Sequence, residues 1–329
     1  MGDASSLPPS PLAEDLRSSK SSSSILPLRI ITHNIRYAAN PPEESELRWP
    51  ERFPTLSAHF KYHIRHDFSP PSTLVGMQEV LQKQLGDLLR CTFNSSADPK
   101  QNDWDYIGVA RDDGKQAGEY SPIFYRRSAW KVLHFETVWL NETGEVGKRG
   151  WDAASIRILT VGVLESTLPC SRGKTILALN THLDDSGKVA RREGAKIIRR
   201  VAAAKQHDFP AVSFTYLSGD LNSPPEDDAY KLLNAKQSGF LDVRRLVLDD
   251  EVYGDERTFT GFPEDPSAQG KWRIDFVHLG YKDQGDDDAT EKEMHRVKNL
   301  VRGYAVLPNR FDNRIWMTDH RAVVVDLVI

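Results

Sequence analysis

Asp220 and Asn222 stand two residues apart in the run Phe214-Thr215-Tyr216-Leu217-Ser218-Gly219-Asp220-Leu221-Asn222-Ser223-Pro224-Pro225. The run opens with apolar and β-branched residues, the mark of a buried strand. At strand spacing, side chains at i and i+2 leave the same face. A carboxylate and a carboxamide are therefore aimed together at one point, where they can hold and orient a water molecule. Gly, Asp, Asn, Ser and Pro are also ordinary turn residues, so the pair gains meaning only if other groups converge on it.

Other strand ends offer such groups. The apolar run 28–37 carries Asn34, 73–80 carries Glu79, and 175–185 carries Asn180 and His182. Asp275 interrupts the apolar run 272–279, and Asp319-His320 precedes the last strand, 322–329. An ionised carboxylate inside an apolar strand is costly unless paired, so Asp275 needs a partner. Amphipathic spacing predicts helices over 49–66, 81–89, 187–205 (with Val189, Ile197, Ile198 and Val201 inward) and 226–233. Further strands are expected over 103–109, 120–127, 130–140, 156–164 and 297–306, with 120–127 and 130–140 pairing as neighbours. The stretches 141–152 and 283–293 read as a Gly-rich polar loop and an exposed acidic loop. Strand, helix, strand with polar strand ends occurs before residue 89 and again over 175–233. Two such halves suggest α/β architecture: two sheets face to face with helices outside, and ligand chemistry at the strand ends.

The group types narrow the chemistry. Carboxylates and amides without a Cys/His cluster suit Mg²⁺ or Mn²⁺ rather than a soft metal. Carboxylates, two histidines and amide donors together fit metal-assisted attack of water on a phosphate ester. There is no G-x-x-x-x-G-K-[ST] run and no G-x-S-x-G, which argues against a P-loop protein and a serine hydrolase.

Composition sets the remaining bounds. The chain has 329 residues, 39% hydrophobic and 27% charged, with 43 Lys+Arg against 47 Asp+Glu and a formal net charge of −4. A protein gripping long nucleic acid through its backbone is usually basic, and this one is not. Cys91 and Cys170 lack metal-type spacing, and no disulfide framework is expected. A reducing compartment, cytoplasm or nucleus, is the expectation, with no secretory signal. No apolar run approaches about 18 residues, so no stable membrane insertion is expected. Residues 1–27, rich in Ser and Pro, read as a disordered tail, and 28–329 as a single catalytic domain.

Taken in order, Thr32-His33-Asn34-Ile35-Arg36, Gly76-Met77-Gln78-Glu79-Val80, Asn180-Thr181-His182-Leu183, Gly219-Asp220-Leu221-Asn222, Arg273-Ile274-Asp275-Phe276 and Thr318-Asp319-His320 resemble the motifs of the endonuclease/exonuclease/phosphatase superfamily, of the exonuclease III and DNase I type. Tyr120-Ser121-Pro122-Ile123-Phe124-Tyr125-Arg126 and Gly150-Trp151-Asp152-Ala153-Ala154 resemble a bacterial and fungal branch distantly similar to the carbon catabolite repression deadenylases. The resemblance implies a four-layer α/β/β/α sandwich and a Mg²⁺- or Mn²⁺-dependent hydrolase. It implies Glu79 as main metal ligand with Asn34 and Asp319 close to the ion. Asp220 would activate water, with Asn222 positioning it. Asp275 would hold His320, which donates to a phosphate oxygen. His182, steadied by Asn180, would stabilise charge on the phosphate.

Arg36, Arg111, Arg126 and Arg157 fall in branch-specific motifs and are candidates for gripping substrate phosphate, with Trp151 a candidate for stacking on a base or sugar. The leading expectation is a phosphodiesterase of nuclease type, similar to a 3′-to-5′ RNA exonuclease. The alternative is a phosphatase or phosphodiesterase of a small phosphorylated metabolite or lipid headgroup. A non-catalytic phosphate-binding scaffold is the third reading, and the complete motif set weighs against it. No protein partner is indicated.

Overall fold

The computed structural model describes residues 25–65, 69–265, 267, 270, 272–282 and 285–329. The Ser/Pro-rich tail, up to residue 24, lies outside them. Leu26, ahead of the expected domain start at residue 28, is buried and exchanges backbone hydrogen bonds with Ile329.

Among the described residues thirteen strands form two sheets. The seven-stranded sheet contains β1 (Pro27–Asn34), β2 (Leu74–Gln78), β3 (Trp104–Ile107), β4 (Ile123–Arg126), β10 (Val252–Gly254), β12 (Val301–Val306) and β13 (Val323–Val328), in the order β10-β12-β13-β1-β2-β4-β3. The six-stranded sheet contains β5 (Trp130–Trp139), β6 (Ile158–Ser166), β7 (Thr175–His182), β8 (Val212–Asp220), β9 (Phe240–Asp242) and β11 (Asp275–Gly280), in the order β5-β6-β7-β8-β11-β9. Each sheet has a central parallel pair, β1 with β2 and β7 with β8, and β10 and β12 at the edge of the first sheet are parallel too. The central pairs are joined by crossover helices α1 (Trp49–His63) and α3 (Lys188–Asp208). This is the repeated strand-helix-strand unit read from the sequence.

Strand periodicity explains the layering. Ile30, Leu74 and Ile176 face a core between the sheets, together with Phe214, Tyr216, Val277 and Leu279. Their sequence neighbours face outward: Ile31 and Val75 pack against Leu56 and Phe60 of α1 and Leu85 and Leu88 of α2 (Gln82–Leu88). Leu177 and Leu217 pack under Ala195 and Ile198 of α3 and Leu233 of α4 (Asp228–Leu233). Alternate residues therefore serve opposite faces, giving a four-layer α/β/β/α sandwich. Among the described residues no helix is long and apolar enough to cross a membrane.

Four local expectations are corrected. β4 and β5 do not pair. β4 lies between β2 and β3, and β5 is an edge of the other sheet. The short connection crosses between sheets because Ala129 and Trp130 are buried in the inter-sheet core, with Trp130 Nε1 donating to Ser72 O. The acidic stretch expected as a loop instead starts α5 (Asp287–Lys298), outside residues 283 and 284, which are not described. Asp286 caps that helix, Asp287 and Asp288 fill its first turn, and His295, Arg296 and Lys298 its last, so the charges complement the helix dipole. Val189 faces solvent rather than the core, at the turn where Asp152 accepts the N–H groups of Val189 and Ala190. Helix α1 ends at His63, short of the expected 66.

Candidate active site

Register places the chemistry. Across β7, β8 and β11, His182 pairs with Asp220 and Asp220 with Asp275, so three functional residues lie in one row at a single sheet end. On the other sheet Asn34 pairs with Gln78, which puts Glu79 just beyond the end of β2. The two sheet ends meet through Asn34, whose Nδ2 donates to Glu79 Oε1 (2.9 Å) and Asp220 Oδ2 (3.0 Å). Gly219 permits the close approach: its φ is 147° and a Cβ there would lie 2.1 Å from Thr181 O. Asp220 Oδ1 accepts the N–H of Asn222, itself in the left-handed region at φ 45°, so the pair forms a tight Asx turn rather than continuing the strand.

Asp220 is flanked by two imidazoles, with His182 Nε2 at 3.6 Å and His320 Nε2 at 3.7 Å from its Oδ2. Each ring turns its Nδ1 towards a carboxylate: Asp275 at 2.9 Å from His320, and Glu119 at 3.9 Å from His182. The two rings differ in charge. Burial alone would lower His320, but Asp275, Asp220 and Asp319 override it and hold the ring well above its ordinary pKa, so it is a cation at neutral pH. Burial, reinforced by Arg157 and Arg111, holds His182 well below 6.5 and neutral. Asn222 Nδ2 donates to Leu183 O and faces His182 Nε2, both at 3.0 Å. An amide nitrogen only donates, so Nε2 is the acceptor and the His182 proton sits on Nδ1, towards Glu119. Burial, then Asp275, pushes Asp220 up to about 7.

These groups open into a cavity of about 410 Å³ lined by Arg36, Glu43, Glu79, Arg111, Glu119, Arg157, His182, Asp185, Asp220, Asn222, Phe259, Asp319 and His320, among others. A larger groove, about 660 Å³, lies along α3 and the 237–240 loop, but its described lining holds no carboxylate and none of the motif residues. The arginines of the cavity are all engaged. Arg36 pairs with Glu43 (2.6 Å) and Glu46 (3.4 Å), Arg111 with Glu119 (2.8 Å), and Arg157 with Asp184 (3.1 Å) and Asp185 (2.6 Å). Asp184 anchors this wall. Burial alone would raise it, but the N–H groups of Ala154, Gly187 and Ser155, with Arg157, hold it at about 2.

Three expected residues lie elsewhere. Arg126 is buried on the outer strands, bonded to Asp103 and Ile64 O and stacked 4.5 Å over Trp104. Trp151 packs against the apolar layer under α3, and its backbone N–H donates to Glu142. Asn180 sits beneath the cavity as a bridge between sheets, accepting from Gln78 and donating to Met77 O and Pro122 O. Conversely, Glu119 was missed. Burial, then Glu79, pushes it up to about 7. Its only sequence signal is an acid at the foot of the Tyr120 motif.

The donor set fits a hard cation. Six carboxylates line the cavity (Glu43, Glu79, Glu119, Asp185, Asp220, Asp319) against three arginines. Burial, with Glu79 adding to it, raises Asp319. Such crowding is relieved by a bound divalent ion with oxygen ligands. Asp220, Asp275 and His320 also lie close enough to share an ion, but a His320 held protonated by Asp275 offers no lone pair. Glu79 and Asp319 are then the buried or half-buried cavity carboxylates left to hold such an ion.

No family model and no curated protein matches the chain. Solved structures do. An endonuclease/exonuclease/phosphatase from Bacteroides vulgatus is 30% identical with a TM-score of 0.71, the match covering 92% of this chain and 98% of that one. A mannosyl-6-phosphatase from Bacteroides thetaiotaomicron is 26% identical with a TM-score of 0.68, covering 92% and 99%. D. rerio TDP2 complexed with a single-strand DNA product shares the fold at 14% identity, TM-score 0.60, covering 91% and 98%.

Proposed function

The chain belongs to the endonuclease/exonuclease/phosphatase family, and on that premise we propose that it is a divalent-cation-dependent phosphoesterase that hydrolyses a phosphomonoester of a small polyhydroxylated molecule. The observation carrying the substrate class is the state of the arginines. A polyanionic chain is held by unpaired cations that replace its counterions. Here each cavity arginine faces a carboxylate, so the wall alternates donors and acceptors, as hydroxyl groups require. The likeness to a mannosyl-6-phosphatase supports the same choice. The nuclease reading draws on a 14% identical neighbour, which speaks to fold alone.

In this reading Glu79 and Asp319 hold the cation with Asn34 beside them. The bound ion supplies Lewis-acid stabilisation of phosphoryl oxygen charge. Asp220, fixed by the Asn222 N–H and Asn34 amide, takes a proton from the attacking water. The cationic His320 donates from Nε2 to a phosphoryl oxygen where charge accumulates. Asn222 fixes the water and holds His182 in its Nδ1–H tautomer.

Purified protein with Mg²⁺ or Mn²⁺ should release phosphate from hexose 6-phosphates, and chelation should abolish the activity. Asp220→Asn should lower kcat by about 10³-fold or more while keeping cation affinity, the size of loss seen for core catalytic groups. Faster cleavage of an oligoribonucleotide or a bis-aryl phosphodiester than of every monoester overturns the substrate class. Equal rates for Asp220→Asn and wild type overturn the mechanism.

A further inference from the structure

Arg52, on α1, is fully buried and touches no lining residue's side chain within bonding distance, yet it is wired to the turn after β1 and to the segment that leads into Asp319. Nη1 donates to Ile35 O (2.8 Å) and Met317 O (2.9 Å), and Nη2 to Arg36 O (2.7 Å) and Tyr37 O (3.1 Å). Glu46 lies 3.9 Å away, and the guanidinium carbon sits 5.0 Å over the Trp49 ring.

The turn after β1 explains this arrangement. Arg36 is in the left-handed region at φ 57°, which bunches the carbonyls of 35–37 on one side. The N–H groups of the same segment point the other way: Arg36 N donates to Asn34 Oδ1 and Tyr37 N to Glu79 Oε2, both at 3.0 Å. The peptides are thus ordered with N–H ends on the acidic site and C=O ends on one guanidinium. The fourth carbonyl, Met317 O, leads into Thr318, whose hydroxyl donates to Asn34 O (2.8 Å), and then into Asp319.

We propose that Arg52 is a positioning residue that fixes Asn34, Glu79 and Asp319 as a preformed cation site: it clamps the carbonyls of the turn after β1, which follows Asn34 and whose Tyr37 N–H orients Glu79, and the carbonyl that leads into Asp319. The inference rests on the reading of Glu79 and Asp319 as the cation's ligands. Only a planar fork with several donors spans four converging carbonyls; a lysine ammonium keeps the charge but not the geometry.

The test is calorimetric titration with Mn²⁺, run well below the melting temperature, on wild type, Glu79→Gln and Arg52→Lys. Wild type binds and Glu79→Gln loses binding. Arg52→Lys should keep the far-ultraviolet spectrum of the fold but weaken Mn²⁺ about 10- to 100-fold, the range for outer-shell partners of metal ligands. Affinity within twofold of wild type overturns the proposal even if the melting temperature falls, because a purely structural arginine would show that pattern. Gln84→Met guards against misfolding of Arg52→Lys. Gln84 holds the same turn through Arg36 O (2.9 Å) and Ala38 N (3.1 Å), so Mn²⁺ should weaken there too, and unchanged affinity counts against the clamp. A wild type that binds no Mn²⁺ overturns the cation-dependent function itself, a separate outcome.

Discussion

Replacing Asp275 by Asn tests the charge on which the proposed mechanism rests. Asp275 Oδ2 accepts from His320 Nδ1 at 2.9 Å, and both residues are buried. The isostere keeps the shape and removes the charge. Its carbonyl can still take the Nδ1 proton, but its NH₂ then falls where Asp275 Oδ1 is buried without a partner. An unsatisfied buried donor costs about 1–3 kcal/mol, and uncoupling one partner of a buried ion pair costs about 3–5 kcal/mol, so the variant should lose about 3–5 kcal/mol in urea titrations. The loss should depend on pH with a definite sign. A histidine raised in the folded state adds stability that is complete below its unfolded pKa near 6.5 and drains away as pH rises through its folded pKa. The gap between wild type and Asp275→Asn should therefore be widest near pH 6 and narrow on the alkaline side. With the cation at His320 weakened, kcat at pH 7 should fall about 10²- to 10³-fold, as for loss of one preorganised donor to a charged transition state. Ring ¹⁵N shifts report the protonation of His320 directly. A neutral His320 in the wild type at pH 7, or a folded variant with kcat within threefold of wild type, refutes the reasoning.

Glu119→Gln keeps a neutral acceptor beside Arg111 but removes the carboxylate that the His182 Nδ1 proton faces. At 3.9 Å the contact is electrostatic and not a hydrogen bond, so kcat should drop only roughly 10-fold, and an unchanged kcat in steady-state assays would separate Glu119 from the chemistry. Far from the cavity, burial holds His278 at about 4 against 6.5 unfolded. A depressed histidine loses stability for the fold as pH falls from 6.5 towards 4. Removing that group in His278→Gln should therefore narrow the stability gap to wild type by about 1.3 kcal/mol between pH 7.5 and 5.5; a pH-independent gap in urea melts contradicts the assignment.

The repeated strand-helix-strand units were legible because buried strands and crossover helices carry different periods. Ile30 and Ile31, or Ile176 and Leu177, announce two packed faces by adjacency alone. The destination of β5 was not legible. A short connector after β4 has the same local chemistry whether it turns back or crosses over, and burial of Trp130 between the sheets decides it. Helix α5 was hidden for a different reason: its acids look like a solvated run until Asp286 is recognised as a cap and the last-turn bases as its electrostatic counterpart.

At the candidate site, the strand-end residues were readable because register converts sequence position into place. Asp220, His182 and Asp275 are direct cross-strand neighbours. Charge state is not a local property in that sense. Arg126 and Arg157 look alike in sequence, yet one is spent on Asp103 and Ile64 O on the outer strands and the other reaches the cavity through Asp184 and Asp185. His182 and His320 look alike too, yet burial, with Arg157 and Arg111, keeps one ring neutral while Asp275, Asp220 and Asp319 override burial and keep the other a cation. The same distinction moves the substrate reading. A tally of arginines favours a polyanion, whereas arginines each engaged by a carboxylate leave a wall that is neutral in pairs and negative in sum. In the proposed reading such a wall would take one phosphate alongside a cation and would repel the second and third phosphates that a nucleic acid strand brings.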